Sequence, residues 1–120
     1  MTDERGELLF CYGTLQRAEV QVAEIGRALA GSPDRLEGYR ALRLPIDDPA
    51  EAASNGAPYY LALAPGEGEP IAGTVYALTR DELARADAYE TDDYIRRRVT
   101  LASGREAWVY CAAAHAKVEM

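Results

Sequence analysis

Leu8-Leu9-Phe10-Cys11-Tyr12 is a continuous apolar run stopped by Gly13, the pattern of a buried strand followed by a tight turn. Beyond it, Val22, Ile25, Gly26 and Leu29 recur at i, i+3, i+4 and i+7, while Gln21, Glu24 and Arg27 take the other side. That spacing predicts an amphipathic helix, with Gly31 as its stop and Pro33 as a breaker. Residues 36–45 read as one strand, with Gly38 interrupting it as a bulge. Residues 47–58 collect acids, small residues, Asn-Gly and two prolines, and predict a surface loop. Residues 59–63 and 71–78 are two strands around the turn 65–70, and predict an antiparallel hairpin with a long connection. Thr79 with Glu82 forms a capping-box signature, and opens a helix to Tyr89 or Glu90. Residues 94–102 and 106–113 form a last strand pair around Ser103-Gly104. About six strands and two helices, with no repeat or linker, predict an α+β domain built on a curved or closed, largely antiparallel sheet.

Length and charge narrow the function classes. A chain of 120 residues fits a single domain, 1–120, with one hydrophobic core. Thirteen basic residues against twenty acidic ones leave a net charge of −7, which disfavours nucleic-acid backbones and anionic membranes. The charge is spread along the chain, without an acidic tail or basic arm. Met1 to Glu7 is polar and acidic rather than a signal peptide, and no apolar run approaches the ~18 residues of a membrane span. With two cysteines only, Cys11 and Cys111, a cytoplasmic protein is expected, their disulfide being geometrically feasible but unexpected in that compartment. Twelve arginines to one lysine, with abundant alanine, suggest a GC-rich bacterial genome.

Two places in the chain could carry chemistry. The segment Tyr12-Gly13-Thr14-Leu15 leaves a buried strand and enters a helix. A glycine there permits close backbone approach to a ligand, and amides turned together can hold a carboxylate or an oxyanion. The bland reading is a turn at Gly13 and packing by Tyr12. The second place is Glu90, which shares a helix face with Leu83 and Ala86. A carboxylate ending an apolar stripe at a helix C-terminus is desolvated and opposed by the helix dipole, and both raise its pKa. That suits a general acid or base near neutral pH. The alternative is a structural ion pair with Arg96, Arg97 or Arg98. Strand alternation places Arg96 and Arg98 with Tyr94, and Arg97 with Ile95 and Val99. One of these arginines could meet a substrate carboxylate. Tyr12, Tyr76, Tyr94 and Tyr110 are candidates for lining a polar pocket. A Cys11 nucleophile would need His115, the sole histidine, to dock from the far terminus. Ligand spacing for a metal and a nucleophile-elbow motif are both lacking.

In order and spacing, from about residue 8 to 112, these pieces resemble the γ-glutamylcyclotransferase superfamily, in its short AIG2-like branch. Phe10-Cys11-Tyr12-Gly13-Thr14-Leu15 is similar to its opening strand and YGTL loop. Leu36-Glu37-Gly38-Tyr39-Arg40 is similar to its second-strand motif, and residues 72–78 to the strand before its helix. Asp87-Ala88-Tyr89-Glu90, with Tyr94-Ile95-Arg96-Arg97, is similar to the segment that bears its catalytic glutamate. Two departures bear on the pocket mouth. Gln16-Arg17-Ala18-Glu19 replaces a stretch usually rich in Arg/Lys and Gly, and Thr91 stands where a glycine often follows the glutamate. The resemblance implies a small barrel of mixed strands flanked by helices. It implies catalysis by Glu90, substrate binding by Tyr12, Gly13, Thr14 and Leu15, with Tyr94 and Arg96 beside them, and no metal or cofactor. The implied reaction turns a γ-glutamyl amide into 5-oxoproline and a free amine, with only a small-molecule partner and a monomer or weak homodimer as the molecular state. The alternatives are a module that binds a small carboxylate or amine in the same pocket without turnover, and a purely structural or partner-binding domain.

Overall fold

The computed structural model describes residues 6–90 and 92–113. Seven strands form one sheet: β1 (Glu7–Cys11), β2 (Gly31–Leu36), β3 (Tyr39–Pro45), β4 (Tyr59–Pro65), β5 (Ile71–Leu78), β6 (Tyr94–Thr100) and β7 (Glu106–Ala112). Its order is β2-β5-β1-β7-β4-β3, with β6 paired along β7. β1 runs antiparallel to β5 and parallel to β7, while β4 meets β7 in parallel through Leu63 and Cys111. The remaining pairings, β2 with β5, β3 with β4 and β6 with β7, are antiparallel.

The sheet must curl. β2 and β3 stand at opposite ends of the strand order, yet only Glu37 and Gly38 separate them in the chain. At 3.8 Å between successive Cα atoms, two residues hold those ends within about 12 Å of each other. Gly38 makes the turn with φ of +83°, and its carbonyl accepts from the Gly66 amide at 3.0 Å. The result is a half-barrel with mixed strands, as the resemblance implies.

Both faces of its central strands are buried, which explains their continuous apolar runs. Inside the curl, Phe10, Leu36, Leu63, Val75, Val109 and Cys111 pack together. Outside it, Leu9, Cys11, Tyr76, Leu78 and Tyr110 pack against Leu15, Ile25, Leu83 and Ala86 from the helical segments. Gly73 is needed for this contact between strands. A Cβ there would lie 2.5 Å from the Cys11 carbonyl oxygen and 2.7 Å from the Phe10 ring.

Three helices flank the sheet: α1 (Ala18–Val20), α2 (Pro49–Asn55) and α3 (Arg80–Tyr89). α3 begins as its sequence predicts. The Thr79 hydroxyl accepts from the Glu82 amide at 3.0 Å, and the Glu82 carboxylate accepts from the Thr79 amide at 2.9 Å.

Elsewhere the structure corrects the pattern. The strands expected at 59–63 and 71–78 do not form a hairpin, since β4 pairs with β3 and β7, and β5 with β1 and β2. The expected single strand 36–45 is the end of β2 and all of β3, divided by the Gly38 turn rather than bulged. Gly31 and Pro33 lie inside β2 and do not end a helix. β2 lies at the end of the strand order, a position where the missing proline N–H costs little. The 47–58 loop contains α2, with Pro49 in its first turn and the Asp48 carboxylate accepting from the Ala50 amide at 3.0 Å.

The helix predicted around Val22 and Leu29 is also different. After α1, residues Gln21–Ile25 widen into a π-helical turn closed by the Gly26 amide on the Gln21 carbonyl. That winding buries Gln21 and Ile25, leaves Val22 55% exposed, and ends before Leu29 is reached.

Candidate active site

The loop after β1, the end of α3, and the β3–α2–β4 segment surround a cleft of ≈ 930 Å³. Tyr12, Gly13, Thr14 and Leu15 line one side, and Tyr89, Glu90, Tyr94 and Tyr110 another. Residues 10–15 therefore converge with Tyr89, Glu90, Asp93 and Tyr94 across some seventy-five positions of sequence.

The loop is anchored from several directions. Gly13 is followed by a single 3-10 turn, Thr14–Gln16. The leading amides of any such turn have no acceptor within it. Leu15 is buried in the outer core, so its side chain fixes the loop beside the cleft. The Thr14 and Tyr89 hydroxyls share a hydrogen bond of 2.6 Å, which ties the loop to the end of α3. Gln21, 2% exposed, donates to the Leu15 carbonyl and accepts from the Leu29 amide, both at 2.8 Å. Gln16 donates to the Gly13 carbonyl at 3.3 Å and accepts from the Thr74 hydroxyl at 2.9 Å. The Gln16-Arg17 departure from the family pattern thus contributes a tether here. Thr91, the other departure, lies outside the described residues.

Glu90 caps α3, its amide donating to the Ala86 carbonyl at 3.0 Å, and its side chain is partly buried against the cleft. Burial, and secondarily the Asp87 carboxylate one turn back, push its carboxyl up to about 7 from an ordinary 4.5. Among the described residues its carboxylate makes no ion pair. Arg96 instead serves Asp87, with Nε 3.0 Å from Oδ1 and Nη2 donating to Oδ2 at 3.1 Å. Arg98 faces Glu106 at 3.6 Å.

The tyrosines around Glu90 are held neutral. Tyr12 donates to the Tyr110 carbonyl, Tyr94 to the Leu61 carbonyl at 2.7 Å, and Tyr110 to Asp87 Oδ1 at 2.6 Å. Burial, with the charge of Glu90 among the further causes, raises all three phenols well above their usual range. Burial and the same carboxylate raise the Cys11 thiol. A thiol so disfavoured as thiolate is a poor nucleophile. Its hypothetical partner His115 lies outside the described residues. Cys11 and Cys111 are both free thiols.

Of the site residues expected from sequence, Tyr12, Gly13, Thr14, Leu15, Glu90 and Tyr94 meet at the cleft, and Arg96 does not line it. Arg96 stacks on Trp108, 4.3 Å from the ring centroid, in the alternation that also brings Arg98 over that ring at 5.2 Å. Tyr76 is likewise away from the cleft, in the outer core. The sequence pattern assigns no site role to Tyr60, Tyr89 or Glu51, and places Arg17 only within the stretch at the pocket mouth. Tyr60 donates to Glu51 at 2.8 Å, and burial with that bond pushes it up to about 12. Arg17 donates to the Asn55 carbonyl at 3.0 Å, joining the loop to α2. The one signal for this wall was Asp48-Pro49, a helix-start pair. No cluster of three or more metal-ligating side chains occurs among the described residues, and no helix among them is long and apolar enough to cross a membrane.

Comparison with known proteins places this architecture. No curated protein matches the chain in sequence. Among solved structures, an Arabidopsis thaliana protein superposes with a TM-score of 0.70 at 19% identity, over 93% of this chain and 65% of its own length. The chain thus spans just under two thirds of that relative. A gamma-glutamyl cyclotransferase matches with a TM-score of 0.67 at 16% identity, over 94% of this chain and 68% of its own. Allophanate hydrolase of Kluyveromyces lactis matches with a TM-score of 0.70 at 18% identity, over 92% of this chain but 18% of that much longer one. These likenesses show the shared fold. The family model for gamma-glutamyl cyclotransferase, AIG2-like, matches residues 9–120. The chain therefore belongs to the AIG2-like gamma-glutamyl cyclotransferase family.

Proposed function

We propose that this protein cyclises a γ-glutamyl amide to 5-oxoproline and releases the amine, with Glu90 as general acid and base. The observation that carries the reading is Glu90 itself, a cleft carboxyl raised to about 7 with no counter-cation among the described residues. The nucleophile is the substrate's own α-amine, which attacks the γ-carbonyl once the glutamyl chain is folded, so proximity supplies much of the barrier reduction. That amine stands beside its own α-carboxylate and is protonated at neutral pH. The rise of Glu90 from 4.5 to about 7 makes it a better acceptor for that proton by about 2.5 pH units, roughly 3.4 kcal/mol. Its protonated form then delivers the proton to the departing nitrogen.

Backbone amides between Tyr12 and Leu15 hold the glutamyl end and meet the developing oxyanion. Arg17 supplies a positive charge for the substrate's α-carboxylate. Asp47, Asp48, Glu51 and Asp93 on the remaining lining favour a leaving amine that carries no carboxylate. Tyr94 contacts the substrate beside Glu90.

The test is a panel of γ-glutamyl amino acids and γ-glutamyl amines, with 5-oxoproline read by mass spectrometry. Turnover by the wild type, and its loss in Glu90→Gln by a hundredfold or more, is the expected outcome. Equal turnover by Glu90→Gln would remove the catalytic assignment. Saturable binding without any 5-oxoproline would replace the enzyme with a binding module.

A further inference from the structure

The raised carboxyl of Glu90 raises the question of what surrounds it, and the bonds behind the cleft give an answer. Asp87 and Glu90 are three residues apart at the end of α3, which puts them on one face a turn from each other. The Asp87 carboxylate is held from two sides, by the Tyr110 hydroxyl at 2.6 Å and by the Arg96 guanidinium at 3.0 Å. Arg96 is fixed in turn by the Trp108 ring beneath it, whose Nε1 donates to Glu7 at 2.9 Å. Tyr110 is 6% exposed, and its backbone carbonyl receives the Tyr12 hydroxyl. One carboxylate outside the cleft therefore holds the hydroxyl of a tyrosine that lines it.

We propose that Asp87 is the positioning residue of this site: clamped by Arg96, it fixes the Tyr110 hydroxyl and presents a standing negative charge to Glu90. The inference rests on the proposed role of Glu90 for its consequence in catalysis, but not for its test. The groups facing Glu90 make Asp87 the natural lever. Cys11 at the end of β1, Tyr12 in the loop after it, Tyr94 on β6 and Tyr110 on β7 are all raised by burial and stay uncharged between pH 5 and 9. Asp47, Asp48, Glu51, Asp93 and Arg17 line the same cleft, while Asp87, one helical turn before Glu90, adds to the rise that burial chiefly causes. The Asp87 side chain is 41% exposed, so its influence is screened and amounts to a fraction of the whole shift.

The experiment titrates Glu90 directly, by carbon NMR of protein labelled at the glutamate carboxyl, with Glu90→Gln to assign the signal. Asp87→Asn keeps the shape and an acceptor for Tyr110 while it removes the charge. The Glu90 midpoint should fall by about 0.5–1 pH unit in that variant. Tyr110→Phe, which keeps the Asp87 charge, should leave the midpoint within about 0.2 unit of wild type. An unchanged midpoint in Asp87→Asn, or an equal fall in Tyr110→Phe, would overturn the inference. These readings need no turnover, so a wild-type protein that forms no 5-oxoproline would sink the reaction while the midpoints still decide the role of Asp87. Where turnover is measured, Asp87→Asn should shift the acid limb of kcat/KM with the midpoint, while Asp87→Ala, which also frees Tyr110, should raise KM as well.

Discussion

Replacing Glu90 with glutamine should stabilise the protein, and do so on the alkaline side only. In the unfolded chain this carboxyl ionises near 4.5, and in the folded one near 7. Between those values the folded state keeps a proton that the unfolded state has released. Stability therefore falls as pH rises through that window, and is level below about 4.5 and above about 7. A shift from 4.5 to about 7 corresponds to roughly 3.4 kcal/mol at most. Residual contact of the side chain with water reduces this to about 1–3 kcal/mol. Glutamine has the same size and no charge, so it removes the penalty while it keeps the packing.

For a domain of this size, 1 kcal/mol moves the melting temperature by roughly 3–6 °C. Thermal melts followed by circular dichroism, of wild type and Glu90→Gln at pH 5.0 and pH 8.5, give the comparison. The variant should melt several degrees higher at pH 8.5 and within about 2 °C of wild type at pH 5.0. A difference independent of pH, or a variant less stable than wild type at pH 8.5, would refute the reasoning. The second result would instead indicate the structural ion pair that the sequence alone left open, since removal of one partner of such a pair destabilises. Gain of stability with loss of activity is the behaviour of a group held in an unfavourable state for its chemistry.

Three further substitutions separate binding from folding. At Gly13 the backbone has φ of −126° and an added Cβ would meet no protein atom within 4 Å, so Gly13→Ala should melt within about 2 °C of wild type yet lose tenfold or more in kcat/KM, because the methyl occupies space left for substrate. Gly73→Ala should cost about 1–3 kcal/mol in urea unfolding, since its methyl collides with the Cys11 carbonyl and the Phe10 ring. The Asp34 side chain, 3% exposed, binds Ser103 at 2.6 Å and Arg105 at 2.8 Å, and the Ser103 hydroxyl above all holds its carboxyl down at about 2 from 3.8. Its stabilisation is complete above pH 4 and is lost as pH falls through 2, so Asp34→Asn should lower the melting temperature at pH 7 and make little difference at pH 2, with turnover per folded molecule unchanged.

What could be read in the sequence was what local periodicity encodes. β1 and β7 announced themselves because strands buried on both faces need nearly continuous apolar runs, β5 because the apolar stretch Val75 to Leu78 follows a turn-rich segment, and α3 because its capping box and its Leu83–Ala86 stripe lie within a dozen residues. Pairing was not encoded in that way. Residues 59–63 and 71–78 look like neighbours because they follow one another, but curling the sheet sends β4 to β3 and β5 to β2, a choice made by contacts distant in sequence. Gln21 was misplaced because a π-helical turn shifts the phase of its side chains, and no periodicity rule anticipates that turn. Glu90 was legible from its position on an apolar stripe. The charge of Asp87 three residues before it was legible too, but its effect depends on where Arg96 and Tyr110 lie, and those come from other strands.

The same non-local bonds explain why the cleft can serve a reaction that demands fixed geometry. Thr14 is tied to Tyr89, Tyr12 to the Tyr110 backbone, and Leu15 through Gln21 to Leu29, so the loop is held to α3, to β7 and to the segment before β2 at once. Loss of any one bond leaves two others in place. A cradle of amides fixed in this way would not have to reorganise as charge develops on a carbonyl oxygen, and that is the condition under which donors contribute most to a transition state. A glycine at the centre of such a loop then gives substrate room to reach the amides, because the rigidity comes from the side chains on either side of it.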